Sequence, residues 1–131
     1  MSVINLTQHP ATDEQKVAGV VDLQGKELEA LKGLLTFDSI PTIQEMEDRA
    51  HDIALLVVFN DLADDEDQDP IFNKAMIGGA PFFMSTLERE LINQGITPVY
   101  AFSRREVIEQ KQENGEVVKK AVFKHLGFVE V

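Results

Sequence analysis

The chain has 131 residues, 44% of them hydrophobic, no cysteine and a formal net charge of -11. That length suits one domain with a moderate core, and the missing cysteine excludes disulfides, thiol catalysis and thiolate metal sites. No apolar run approaches the ~20 residues of a membrane span, and Met1-Ser2-Val3-Ile4 leads into a strand-like pattern instead of a secretion signal, so a cytoplasmic protein with no membrane partner is expected.

In chain order, Ser2 to Thr7 (SVINLT) alternates apolar and polar residues and predicts a first strand, which stops at Gln8-His9-Pro10 because proline blocks ladder pairing. Thr12-Asp13-Glu14-Gln15 has the form of a capping box and opens a short helix that reaches Ala18 and ends at Gly19. Val20 to Leu23 is a short second strand. Lys26 to Leu35 places Leu28, Leu31, Leu34 and Leu35 at helical spacing. Pro41 and a second capping box, Thr42-Ile43-Gln44-Glu45, open a longer helix with Ile43, Met46, Ala50, Ile53, Ala54 and Val57 along one face. The same period carries that helix through Leu55 to Phe59.

Next comes an acidic run, Asp61 to Asp69 (DLADDEDQD), and it marks an asymmetry. Residues 1–70 carry four basic and sixteen acidic side chains for a net of -12, whereas residues 71–131 carry eight basic and seven acidic for +1. The run reads as a solvated loop over 61–70; a divalent-cation site is disfavoured because the glycine and terminal glutamate of a calcium loop are missing. An acidic surface for a basic partner is the other alternative.

Beyond the loop, Lys74 to Ile77 predicts a strand, Gly78-Gly79 a break, and Pro81 the first turn of a helix carrying Phe82, Phe83, Leu87, Leu91 and Ile92 inward and ending at Gly95. Thr97 to Phe102 is the next strand, parallel to the one at Ala75 through a single crossover. Asn114-Gly115 then predicts a two-residue type I′ hairpin turn, which pairs Val107 with Val122, Ile108 with Ala121, Glu109 with Lys120 and Arg104 with His125. Together these elements describe one α/β domain over 1–131, a small three-layer Rossmann-like fold with a mainly parallel sheet and a C-terminal β-hairpin.

In such sheets ligands bind beyond the carboxyl ends of the strands. Three segments end there: Thr7-Gln8-His9, Gly78-Gly79-Ala80 and Ser103-Arg104-Arg105. The Gly-Gly pair lets backbone N–H groups approach a guest, and the following helix N-terminus favours a phosphate or carboxylate. Arg104 or Arg105 adds a bidentate phosphate contact, although period-two alternation sends only one of them toward the site. Gly78-Gly79 lacks both the GxGxxG spacing of dinucleotide folds and the lysine of a P-loop, which disfavours those nucleotide sites. The bland alternatives are a glycine required by the turn, a His9 that only shapes the bend before Pro10, and a solvated Arg104–His125 pair. The three histidines, His9, His51 and His125, have no close spacing, and no metal or cofactor is assigned.

A family resemblance attaches to residues at both ends. Ile4-Asn5-Leu6-Thr7-Gln8-His9-Pro10 followed by Thr12-Asp13-Glu14-Gln15, with Tyr100-Ala101-Phe102-Ser103-Arg104-Arg105-Glu106 and Phe123-Lys124-His125-Leu126-Gly127-Phe128, resembles small stand-alone CRISPR-associated Rossmann-fold (CARF-like) proteins. The resemblance implies an antiviral-defence homodimer that binds cyclic oligoadenylate at the strand ends, with no long nucleic acid as partner, and in some members a metal-independent ring nuclease. The acidic first half departs from what a polyanionic ligand calls for.

The leading expectation is recognition of a small phosphate-bearing nucleotide by Thr7, Gln8, His9, Gly78, Gly79, Ala80, Ser103, Arg104, Arg105 and His125. Cleavage would proceed by attack of a ribose 2′-hydroxyl on its neighbouring phosphate, with Arg104 stabilising charge and His9 as general acid or base. The competing expectation is a non-catalytic acidic protein, an inhibitor or nucleic-acid mimic, engaging a basic partner. A positive pocket favours the first and a continuous negative face the second.

Overall fold

The computed structural model describes residues 2–62 and 72–131. Nine elements follow one another among them: β1 (Ser2–Leu6), α1 (Asp13–Val17), β2 (Val20–Asp22), α2 (Gly25–Leu35), α3 (Ile43–Leu62), β3 (Phe72–Ile77), α4 (Pro81–Asn93), β4 (Thr97–Lys111) and β5 (Val117–Glu130). The acidic run expected as a loop lies outside the described residues except for positions 61 and 62, which close α3. No helix among the described residues is long and apolar enough to cross a membrane.

The strands form one mixed sheet in the order β2-β1-β3-β4-β5. β1 runs parallel to β2 and β3, β3 parallel to β4, and β4 antiparallel to β5. The expected crossover is therefore present, with Ala75 beside Pro98 and Met76 beside Val99.

Period-two alternation divides the sheet into two unequal faces. Ile4, Leu6, Ala75 and Ile77 turn to the side that receives α2, α3 and α4, where Leu31, Ile53, Ala54, Val57, Phe83, Leu87 and Leu91 complete the main core. Val3, Val20, Met76 and Val99 form a smaller cluster on the other face, closed by Ala11 and Phe128. Among the described residues, the helix on that side is the five-residue α1, which buries none of its own residues.

Helix entry follows the expected chemistry. Thr12 Oγ1 accepts the Gln15 N–H at 3.2 Å and the Gln15 carboxamide accepts the Thr12 N–H at 3.0 Å, a complete capping box. At α3 only half of that device is used: Thr42 Oγ1 accepts from Glu45 N–H at 3.0 Å, while the Glu45 carboxylate turns to Arg49 at 3.1 Å.

Three expectations need correction. Phe82 and Ile92 do not point inward but are 55% and 53% exposed, because the buried stripe of α4 runs through Phe83, Leu87 and Leu91 and each of the other two lies off it. Ile43, on the first turn of α3, is likewise exposed, ahead of the point where that helix meets the core. The hairpin loop has three residues, not two. Gly115 alone takes a positive φ, of 85°, so Asn114 does not adopt the conformation a type I′ turn demands. Instead Gly115 N–H donates to Gln112 O at 3.0 Å, Gln112 N–H to Glu116 O at 2.8 Å, and the Asn114 side chain accepts Glu116 N–H at 3.0 Å. The register moves by one: Val107 faces Ala121, Ile108 faces Lys120, Glu109 faces Lys119, and Arg104 faces Lys124 while His125 faces Ser103.

Candidate functional site

The strand order reverses at the β1/β3 boundary, since β2 lies outside β1 and the chain returns past it to β3. A crevice beyond the carboxyl ends of β1 and β3 is the consequence of that reversal. There the chain leaves β1 as Thr7-Gln8-His9-Pro10 and β3 as Gly78-Gly79-Ala80, and these two segments wall a cavity of about 540 Å³ with Tyr100 and Ala101 of β4. Two of the three sequence-predicted segments thus converge.

The first segment is held by a buried polar cluster. Asn5 sits inside β1, buried, with its Nδ2 donating to the His9 carbonyl at 2.8 Å and to Asp22 Oδ1 at 2.7 Å. Its Oδ1 accepts the Thr7 N–H at 2.9 Å and lies 2.7 Å from the Thr7 hydroxyl. Asp22, at the end of β2, also accepts the Ala11 N–H, at 3.0 and 3.3 Å from its two oxygens. One asparagine and one aspartate therefore fix both ends of the Thr7–Ala11 bend. Gln8 adds a tie to the end of α2, donating to Thr36 Oγ1 at 3.1 Å. None of these hydrogen-bonding roles was read from the sequence, where Asn5 entered as a polar residue of an alternating strand and as part of the motif that carries the resemblance.

The second segment supplies backbone. Gly79 has φ 149°, a conformation L side chains rarely adopt, whereas Gly78 lies outside that region and a Cβ there would meet Thr7 Cγ2 at an ordinary 3.5 Å. The thirteen-residue α4 starts directly behind them, and its N-cap, Ala80, offers no side-chain hydrogen bond. Pro81 brings no N–H and the Phe83 N–H already donates to Ala80 O at 3.0 Å, so an anion at that end would meet the Phe82 N–H and the positive end of the dipole.

Tyr100 closes one wall. Its hydroxyl donates to Glu88 Oε2 on α4 at 2.7 Å, and burial together with that bond raises its pKa above the ordinary phenol value. His9 is exposed at the mouth and is the only imidazole on the lining. Among the described residues the lining holds neither a lysine or arginine nor a carboxylate, within a strongly acidic chain.

The third segment stands apart. Ser103, Arg104 and Arg105 lie further along β4, exposed and outside the cavity lining. Arg104 donates to Glu106 at 2.8 Å and holds that carboxyl below its usual range. His125 stacks edge-on against Phe128 with centroids 4.9 Å apart, and both its ring nitrogens are buried without a partner among the described residues. Its backbone N–H donates to Glu14 of α1 at 2.9 Å. His51, given no role, pairs with Glu90 across α3 and α4 at 2.8 Å. No group of three or more His, Asp or Glu with metal-site geometry occurs among the described residues.

Neither a curated protein nor a solved structure matches this chain. The uncharacterized protein MJ1673 family matches residues 1–129, and the chain belongs to that family.

Proposed function

We propose that the strand-end cavity binds a small phosphate-bearing nucleotide, of the cyclic oligoadenylate class that the CARF-like resemblance implies. In this reading the domain is Rossmann-like and works as a homodimer. One observation carries it: an uncapped thirteen-residue helix opens behind Gly78-Gly79 onto a preformed cavity of about 540 Å³ at the β1/β3 reversal. The volume is that of a small-molecule site and far too small for a duplex.

The roles follow from placement. The amides of Gly78 to Ala80 and of Phe82, with the α4 dipole, take the phosphate, Gln8 and Thr7 offer hydrogen bonds, and His9 stands where it can exchange a proton with the ligand. Of the two catalytic candidates only His9 lines the cavity, so cleavage by 2′-hydroxyl attack depends on it and not on Arg104. The expected positive pocket is not what lines this cavity: among the described residues its walls are uncharged, so the reading is supported by the start of α4 and not by a basic lining.

A thermal-shift screen against cyclic oligoadenylates, linear oligonucleotides and mononucleotides tests it. A ligand at 100 times its Kd adds about 2.7 kcal/mol of stability. The expected outcome is a rise in melting temperature with at least one phosphate-bearing nucleotide and none with the matching nucleoside. His9→Ala then separates the steps: turnover falls about 100-fold or more while the shift persists. A screen with no shift for any nucleotide contradicts the proposal.

A further inference from the structure

β3 pairs with β4 from Lys74–Thr97 to Met76–Val99, so beyond that point β4 and β5 have, among the described residues, each other as sheet partners. A two-stranded ribbon is marginally stable in water at best. This one nevertheless keeps apolar side chains in solvent, with Phe123 72%, Val107 61% and Val117 56% exposed. Cross-strand register places Arg105 beside Phe123, Val107 beside Ala121 and Glu109 beside Lys119, and alternation puts all six on one face. That face has an apolar centre with Arg105 toward one end and, toward the other, Lys119 paired with Glu109 and then Lys111 beside Val117, a net positive charge.

Across α2 and α3 the surface has the complementary character. An open groove of about 710 Å³ presents Leu34, Leu56 and Phe59 between the carboxylates of Glu27, Glu29 and Asp52, and no lysine or arginine lines it among the described residues. Within its own chain the hairpin packs mainly on itself and, at its base, on α1.

We propose that the hairpin arm of one copy seats in the α2–α3 groove of a second copy, and that the second copy's arm does the same in return. Arg105 and Lys119 then face the groove carboxylates, and Val107 and Phe123 cover Leu34 and Leu56. Reciprocal exchange closes into a two-fold dimer without leaving a free arm to propagate. The five-residue stretch from Arg105 to Glu109 is about 17 Å long and, two strands wide, covers roughly 170 Å², so two seats with both surfaces counted bury on the order of 700 Å², which is the size of a weak, transient interface. This pairing gives the proposed homodimer its interface but is argued without the nucleotide and measured without any ligand, so a monomeric parent that still binds nucleotide sinks the pairing and leaves the binding site standing.

Sedimentation velocity on the full chain tests it. The parent should dimerise with a Kd that weakens as salt rises. Arg105→Glu with Lys119→Glu reverses the arm, Glu27→Lys with Glu29→Lys reverses the groove, and each double variant should raise the Kd at least 10-fold while keeping the parent's circular dichroism. Mixed one to one, the two variants should form a heterodimer, because the reversed arm meets the reversed groove and the parent arm meets the parent groove, each of opposite sign. Phe123→Asp, at an exposed position, should also dissociate the dimer. A parent that stays monomeric, a dimer unchanged by these variants, or a mixture of folded variants that does not associate overturns the proposal.

Discussion

Asn5 is the residue on which the shape of the cavity depends most. It saturates its carboxamide inside β1 and fixes Thr7, the His9 carbonyl and Asp22 at once. Asn5→Ala should destabilise the fold by about 1–3 kcal/mol in urea unfolding, since Asp22 and the Thr7 N–H lose buried partners. Asn5→Asp should cost more, because it sets a second carboxylate within hydrogen-bonding distance of Asp22. The glycines divide in the same way. Gly79→Ala forces a side chain into φ 149° and should lower stability, whereas Gly78→Ala should be nearly neutral. Gly78, not Gly79, is therefore the position at which an introduced aspartate probes the anion site without backbone strain. The glycine pair was legible in the sequence as a turn before a helix. Asn5 was not, because strand alternation says which face a residue takes and nothing about which polar atoms it will meet there.

At the scale of elements, the α3–α4 contact carries a titratable clasp. The hydrogen bond to Glu90 raises the His51 pKa above the ordinary imidazole value, with the Glu90, Asp52 and Asp48 charges adding to it. A raised folded-state pKa means that the clasp stabilises fully below the unfolded value of about 6.5 and that its contribution is lost as pH rises through the folded pKa. The difference in melting temperature between the parent and His51→Ala should accordingly be larger at pH 6 than at pH 9. In the hairpin, Gly115 holds φ 85° with open space around it, so Gly115→Ala should cost about 1–2 kcal/mol through backbone conformation alone. Periodicity made the strands and helices readable because each buries one face. The turn failed as a prediction because Asn-Gly serves two-residue and three-residue loops alike, and the one-residue difference moved His125 from Arg104 to Ser103.

For the whole molecule, the parallel β1–β3–β4 core and its crossover follow from apolar segments separated by helix-length stretches, and this is why the strand-end location of the site could be read early. How far the hairpin would project could not, because exposed strands carry no burial pattern to mark where the sheet ends. Removing Phe83, fully buried at the centre of the main core, should cost about 3–5 kcal/mol as Phe83→Ala in urea unfolding and leave the cavity walls in place. The central claim is that the β1/β3 cavity holds a nucleotide phosphate against the start of α4. Amide chemical-shift mapping by NMR during titration with a cyclic oligoadenylate tests it directly, on the parent and on Gly78→Asp. The largest changes are expected at Thr7 to His9, at Gly78 to Ala80 and at Phe82, and they should vanish in Gly78→Asp. Saturable changes centred instead on the hairpin arm or on the α2–α3 groove, or changes that persist in Gly78→Asp, would contradict it.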